Sequence, residues 1–430
     1  MKKDLIILTH TPIDYDSRVI KQVKYFSKDF HIILFSRLQN KESLKMFEGF
    51  DVEVREIPIL STTKTSRRLL QSFLKERYQK TFKMTVKKYL RRKLHLNYPF
   101  TDMYYMLKPE NMWCRKNILD TYEEDYSNIA AILVNDLVLI HVAGRLKLVF
   151  DSLDYNIPLI CDLHEAHFDY KSGQDFNHHL SAQLMERNLK LADVICAPTE
   201  RVLNCFLDLD INYKESIVPK VVYNTSSFED LDPSKNDEKM VKLVHVGIAG
   251  RDRKLEKMIT ALTHLEDKYK LHFYLVTTNS PTAHIYIEEL KEYAKEIGVD
   301  SRVFFETPVN PDELVSCLNK YDIGVFYLEP DENKKNFDYA APNKLFQYVQ
   351  ARLAVVVSDI GEMGKIVRDY NVGTVSTFSE EDFAHKIAEA NQSLDIYKNN
   401  ANAAASELSA EKQWHDVLEY VKDINKEGER

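Results

Sequence analysis

Pro342-Asn343-Lys344, with Gln347 one turn further on, is the segment of this chain best suited to hold an anion. Proline favours the first position of a helix, so the unpaired N–H groups behind it point outward at the positive end of the helix dipole, and Lys344 adds a mobile charge. Gln347 falls on the same face and carries an amide that can hydrogen-bond hydroxyl groups. A second cationic run, Arg251-Asp252-Arg253-Lys254, supplies Arg253, or in its place Arg251, as the partner charge. Glycine is scarce, 11 in 430, against an average usage of about 7%, so few loops can wrap a phosphate in bare backbone and side-chain cations have to take that part. No GxGxxG is present, and Gly361-Glu362-Met363-Gly364-Lys365 lacks the first glycine and the final Ser or Thr of a Walker loop.

Metal chemistry finds little support. His164-Glu165-Ala166-His167 is HExH, one residue short of the spacing that puts two imidazoles on one helical face. The DxD pairs Asp14/Asp16 and Asp208/Asp210 are expected by chance among 66 acidic residues. The cysteines, Cys114, Cys161, Cys196, Cys205 and Cys317, are odd in number and never spaced as CxxC, so they read as small buried apolar groups. Neither a metal nor a cofactor is expected.

The elements that would position these residues are short β-branched runs alternating with helical patterns, the sequence form of parallel sheets with crossover helices. Strands are expected at 5–9, 31–36, 130–134, 158–163, 194–197 and 220–223, with a helix at 17–26. A second series follows at 242–246, 272–276, 302–305, 323–327 and 354–358, and the last helix runs from 407 to about 425. Between the two series lies a polar, acidic, turn-rich stretch. The expected organisation is an α/β chain of two doubly wound domains, 1–223 and 241–406, joined by 224–240, with 407–430 as a helix packing back on the first domain. Ligands of such sheets bind beyond the carboxyl ends of the strands. That rule nominates Arg18, after the first strand and its acidic loop, and Asp136 after 130–134.

Charge is uneven. The net value is -8, yet between Lys64 and Lys93 twelve Lys or Arg meet one acid, Glu76, which leaves +11 there and -19 for the remainder. Apolar residues recur in this stretch at helical intervals, so it is expected to lie on an anionic membrane surface, each basic residue contributing about 1 kcal/mol near the headgroups. A helix packed on its own domain with a solvated cationic face is the plainer alternative. Nucleic-acid binding ranks last because no recognition motif accompanies the patch. No stretch reaches the 18 apolar residues of a membrane span, and MKKDLIILTHTP is too short in its apolar part for a secretory signal, so a cytoplasmic location is expected.

Several segments resemble the GT-B glycosyltransferases, in particular glycosyltransferase family four. His10 to Lys21 is similar to that family's first loop and helix, Cys161-Asp162-Leu163-His164-Glu165 to its Asp-x-His-Glu strand end, and Ala192 to Glu200 to its "ADxIxxxS" turn. Ala341-Pro342-Asn343-Lys344-Leu345-Phe346-Gln347-Tyr348 with 351–359 resembles the "PNKLFEY...AGLPVVASD" block that lines the donor nucleotide. The chain departs from the family at two carboxylates, replaced by Tyr339 and Gln347, at the turn residues Arg352 and Ala354, and at Lys254, where a glycine is usual.

The resemblance implies a GT-B fold and a retaining transferase that moves a sugar from a nucleotide diphosphate donor to an acceptor, read here as a lipid-linked intermediate of a bacterial surface polysaccharide. It implies donor contacts at Arg251, Arg253, Pro342, Asn343, Lys344 and Gln347, an approach of His164 to the transferred sugar, and cleft-edge roles for Asp16, Arg18, Asp136 and Glu165. Positive potential at the leaving diphosphate is the chemistry required. Two other readings stand beside it: a catalytically silent GT-B subunit stabilising an active partner, and an epimerase acting on nucleotide sugars.

Overall fold

A computed structural model describes residues 2–58, 109–135, 137–165, 184–277, 281–330, 339 and 341–427. The basic stretch 64–93 and Asp136 lie outside the described residues. The chain divides into two compact units. The first comprises 1–197, 203–220 and 416–430, and the second 198–202 and 221–415. The helices Glu200–Leu207 and Ala410–Glu427 each pass from one unit into the other.

The first unit is built on a seven-stranded sheet: β1 (Asp4–Pro12), β2 (His31–Arg37), β3 (Val52–Glu56), β4 (Ile129–Asn135), β5 (Leu159–Asp162), β6 (Val194–Ala197) and β7 (Val218–Val221), in the order β3-β2-β1-β4-β5-β6-β7. The second unit has six strands: β8 (Val241–Ile248), β9 (Tyr269–Val276), β10 (Val303–Glu306), β11 (Ile323–Phe326), β12 (Ala354–Ser358) and β13 (Gly373–Ser376), in the order β10-β9-β8-β11-β12-β13. Strand pairs in both sheets run parallel. Parallel sheets carry helices on both faces, so central strands are apolar throughout rather than alternating. Leu5, Ile6, Ile7 and Leu8 of β1, and Val355, Val356 and Val357 of β12, are all fully buried. Each order reverses direction once, between β1 and β4 and between β8 and β11, and this switch point is where doubly wound sheets bind ligands.

All eleven expected strands are present, two of them to the residue and the others with an end moved by one to three residues. Two further strands are present, for a physical reason. β3 and β13 were not anticipated because both are sheet edges: Glu53 and Glu56 of β3 are exposed, and β13 buries Thr374 and Ser376, whose hydroxyls donate to Lys386 O at 2.8 Å and Val357 O at 3.4 Å. β7 starts two residues before its expected position. The final helix starts at Ala410 rather than 407 because Ser409 caps it, its Oγ accepting Lys412 N at 3.3 Å. Of the cysteines, Cys114, Cys161 and Cys196 are buried, whereas Cys205 and Cys317 are half-buried.

Residues 221–240 lie along the second unit. Tyr223 packs on Phe346, ring centroids 5.0 Å apart, and Thr225 Oγ1 donates to Leu408 O at 2.5 Å. Ser234 and Asn236 receive the Lys398 ammonium, which also reaches Asp322 at 2.9 Å, both members of that pair being buried.

Arg352 explains one departure from the resembled family. Its φ is +63°, the left-handed region that favours glycine, and Lys254, the other replaced glycine, has φ +46°. Arg352 is buried, and its guanidinium donates to Asn402 Oδ1 at 2.7 Å, to Glu229 O at 2.6 Å and to Gln350 O. The arginine therefore ties the 221–240 strand of chain to the unit. Arg352→Ala is expected to cost about 2 kcal/mol by leaving those acceptors unpaired, and Arg352→Gly about 1 kcal/mol less, since glycine relieves the backbone. Denaturant titration of the two variants checks this; equal stability of Arg352→Ala and wild type would contradict it.

Candidate functional site

Polar groups gather at the switch point of each sheet. In the first unit they form a closed network where β1, β4 and β5 end. Asp16 is the N-cap of helix Ser17–Phe26, its Oδ1 accepting Val19 N at 3.1 Å and its Oδ2 the Thr9 hydroxyl at 3.4 Å. The capped helix presents Arg18 and Gln22 to the sheet. Arg18 is buried and meets Asp162 in a two-pronged pair, Nε–Oδ2 2.6 Å and Nη2–Oδ1 2.7 Å. Gln22 Nε2 donates to Asp162 Oδ2 at 2.6 Å and to Asn135 Oδ1 at 2.9 Å, while Asn135 Nδ2 donates back to Gln22 Oε1 at 3.0 Å.

His164 stands at the rim of this network. Its Nε2 lies 3.1 Å from Asn135 Oδ1 and 3.2 Å from Asp162 Oδ2, both acceptors, so Nε2 carries the proton. Burial alone would raise the Asp162 carboxyl, but Arg18 and then His164 outweigh it and hold it at about 2. Lys21 is brought down to about 7 by burial and by Arg18, against the pull of Asp16. Glu165 is exposed. Sequence reasoning named Asp16, Arg18 and His164 here. It left Gln22, Asn135 and Asp162 unassigned, although Asn135 and Asp162 are polar ends of otherwise apolar strands, and that was the available signal.

In the second unit the arrangement is cationic. Helix Asn343–Gln350 begins one residue later than expected, with Pro342 at the N-cap rather than in the first helical position: its ψ of 145° is extended, and the helical backbone starts at Asn343. The helix is held by Tyr348, whose hydroxyl donates to Val325 O and accepts from Val246 N, each at 3.2 Å. Its ring packs over Gly324 so closely that a Cβ there would lie 2.2 Å from it. This clamp to β8 and β11 fixes the first turn, and with it Lys344, at the switch point.

The Lys344 ammonium lies over the Phe326 ring, 4.0 Å from its centroid. Burial lowers Lys344 to about 7, Arg253 adds to the shift and Asp252 opposes it. Gly247, at the end of β8, faces the same point, where an added Cβ would lie 2.9 Å from Lys344 Nζ and 3.4 Å from His245 Nε2. Of the cations expected here, Lys344 stands at this point and Arg253 on the loop that follows β8, beside Gly250, with its Nε 3.6 Å from Asp252 Oδ2. Arg251 turns away: its guanidinium pairs with Glu289, Nη2–Oε1 2.7 Å, and lies over Tyr286. Asn343 and Gln347 occupy the first and second turns of the same helix, both half-buried.

A lysine in the first turn of a helix, with an arginine in the turn after β8 acting on its charge, makes an anion site with little bare-backbone loop. A separate hollow of about 550 Å³ in this unit is lined by Arg201, Lys365 and Arg368 among others, but Lys365 is paired with Glu200 at 2.9 Å and Arg368 with Asp359 at 3.0 Å. Among the described residues no group of three or more His, Cys, Asp or Glu could hold a metal ion.

Comparison with solved proteins agrees with this architecture. The chain superposes on Anabaena HepE in complex with UDP and glucose with TM-score 0.61, 14% identity and coverage of 99% of this chain and 98% of that one. A glycosyltransferase from Rickettsia africae gives TM-score 0.64 at 12% identity, over 98% of each chain. The lipopolysaccharide outer core galactosyltransferase WaaB, in its apo form, gives 0.58 at 13%, covering 97% of this chain and 99% of WaaB. None of the curated proteins compared matches in sequence. The fold is that of the GT-B glycosyltransferases. Residues 241–393, which include every cationic and helical component of the second site, match the family described as Glycosyl transferases group 1.

Proposed function

We propose that this chain transfers a sugar from a nucleotide diphosphate donor to a glycan acceptor, with the donor held by the second unit. The observation that carries this is the placing of Lys344, in the first turn of its helix, over Phe326 and beside Gly247 at the β8/β11 switch point, inside the segment that matches the transferase family. As the glycosidic bond breaks, negative charge grows on the departing diphosphate, and cations already in place stabilise it without reorganisation. Arg253 and Lys344 are assigned that role. Asn343 and Pro342 supply the helix start, and Gln347 binds hydroxyls of the nucleotide.

His164, its ring oriented by Asp162 and Asn135, is assigned to the transferred sugar, with Arg18 and Asp16 holding that rim in place. The acceptor is read as a lipid-linked intermediate of a surface polysaccharide, with the basic stretch 64–93 against anionic lipid and transfer with retention of configuration. The support for these finer points is the resemblance and the charge distribution. The donor's diphosphate needs no metal in this scheme. Incubating the purified chain with UDP-, GDP- and ADP-sugars and a lipid-linked glycan fraction should yield a glycosylated lipid. Binding of a donor without transfer or hydrolysis would favour the silent-subunit reading, which the amide of Gln347 and the phenol of Tyr339, in place of two carboxylates, specifically motivate.

Gln347→Glu is expected to tighten nucleotide binding about three- to tenfold, because bonds to a charged group are worth about 1.5–3 kcal/mol against roughly 1 for a neutral one. Calorimetric titration of both forms with the same donor measures this. Equal or weaker binding by the glutamate variant would remove Gln347 from the ribose contact.

A further inference from the structure

The buried imidazole of His245 has a hydrogen-bonding atom that nothing in the described protein satisfies. His245 is 1% exposed in the middle of β8, stacked on Phe326 at 5.8 Å and edge-on to Phe273 at 5.8 Å. Its Nδ1 lies 3.1 Å from Val325 O, so Nδ1 carries the proton and Nε2 is left as an acceptor. Nε2 has no partner. Buried polar atoms are nearly always paired, and an unpaired one in a folded protein calls for a reason.

The geometry supplies one. Nε2 and the Lys344 ammonium flank the same point over Gly247: a Cβ there would lie 3.4 Å from Nε2 and crowd Nζ at 2.9 Å, so only the bare backbone of glycine leaves that point free. Protonation of the ring is opposed by burial and by the two neighbouring cations, Lys344 and Arg253, so the imidazole stays neutral and Nε2 keeps its lone pair. A bare phosphate oxygen cannot satisfy that atom, because acceptor would meet acceptor. What fits is an anion carrying a hydroxyl beside it, the anion on Lys344 and Arg253 and the hydroxyl on Nε2.

We propose that His245 is a specificity-determining residue that accepts a hydrogen bond from a sugar hydroxyl adjacent to the bound phosphate ester, and so distinguishes a hydroxylated nucleotide sugar from its hydroxyl-deleted analogue. This rests on the assignment of the Lys344 site to the donor. The hydroxyl belongs to one of the two sugars flanking the diphosphate, the ribose or the transferred sugar.

The test is a cycle of affinities on the full chain, with UDP-glucose, UDP-2-deoxy-2-fluoroglucose and the 3′-deoxyribose analogue of UDP-glucose, for wild type, His245→Phe and His245→Gln. One of the two deletions should cost wild type about tenfold in Kd and cost His245→Phe nothing, because phenylalanine keeps the aromatic packing and lacks the acceptor. His245→Gln, whose Oε1 can accept, should recover part of the discrimination. Deletions costing the same in wild type and His245→Phe would overturn the assignment. Should His245→Phe fail to fold, nitrogen NMR of the wild-type imidazole decides: Nε2 should shift on adding UDP-glucose and not with the analogue that loses affinity, and an unmoved signal overturns the proposal. If UDP-glucose does not bind wild type, the cycle is run with GDP-mannose and ADP-glucose and their matching analogues. Failure of every donor would contradict the donor assignment itself, a result distinct from donor binding without hydroxyl discrimination.

Discussion

Lys344→Ala is expected to weaken binding of the nucleotide-sugar donor by about 100-fold, the loss of a charge-assisted contact worth about 1.5–3 kcal/mol. A donor present at 100 times its wild-type Kd stabilises the folded chain by about 2.7 kcal/mol, and after a 100-fold loss of affinity by only about 0.4 kcal/mol, so the thermal shift should nearly vanish. The pH dependence carries the same signature. Because burial, reinforced by Arg253, brings Lys344 to about 7, the ammonium that attracts the diphosphate is fully formed below neutrality and is lost as pH rises through 7. Donor affinity should therefore fall between about pH 6.5 and 8.5 in wild type. In Lys344→Arg, whose charge persists far above that range, the same titration should be flat. An unchanged thermal shift in Lys344→Ala would take this residue out of the site.

The second large effect is expected from Asp162→Asn. It removes the anion paired with the buried Arg18 guanidinium, and breaking such a pair typically costs about 3–5 kcal/mol; it also removes one of the two acceptors that orient His164. Stability of the first unit should fall by about that amount in denaturant, and transfer activity should fall through kcat more than through KM. Acid sensitivity should change as well. The Asp162 carboxyl is held at about 2, below its ordinary value of 3.8, so its contribution is complete above about pH 5 and is lost as pH falls through 2. Wild type should lose stability across that window, and Asp162→Asn should lose less. An asparagine variant as stable as wild type at neutral pH would contradict the reading of this network as the first unit's keystone.

The fold was legible wherever a strand is buried on both faces, because such strands are runs of β-branched and aliphatic residues that polar helices interrupt. β12, Ala354–Ser358, and β6, Val194–Ala197, were placed to the residue. β3 and β13 were not, because an edge strand needs few apolar residues and the Thr and Ser of β13 find hydrogen bonds that no pattern of hydrophobicity announces. The candidate site divides in the same way. Lys344 and Arg253 were visible as cations beside a helix start, whereas separating Arg251 from Arg253 required knowing that Glu289 and Tyr286 of the neighbouring helix take the first. His245 was hidden because Val244-His245-Val246 reads as a buried strand, and only the orphaned Nε2 over Gly247 marks it as something more. Arg352 and Lys254, conspicuous in sequence as replaced glycines, keep the left-handed backbone of glycine. At Arg352 the guanidinium ties down residue 229 and its neighbours.

Reactivity of the Lys344 amine is the most direct test of the account. At pH 7.5 a lysine brought near neutrality reacts readily with an acylating reagent, and peptide mass spectrometry reads the modification site by site, with and without UDP-, GDP- and ADP-sugars. Protection of Lys344 by at least one of these donors, with exposed lysines such as Lys116 unaffected, is the predicted result. Labelling of Lys344 at the same rate under saturating concentrations of all three would contradict it.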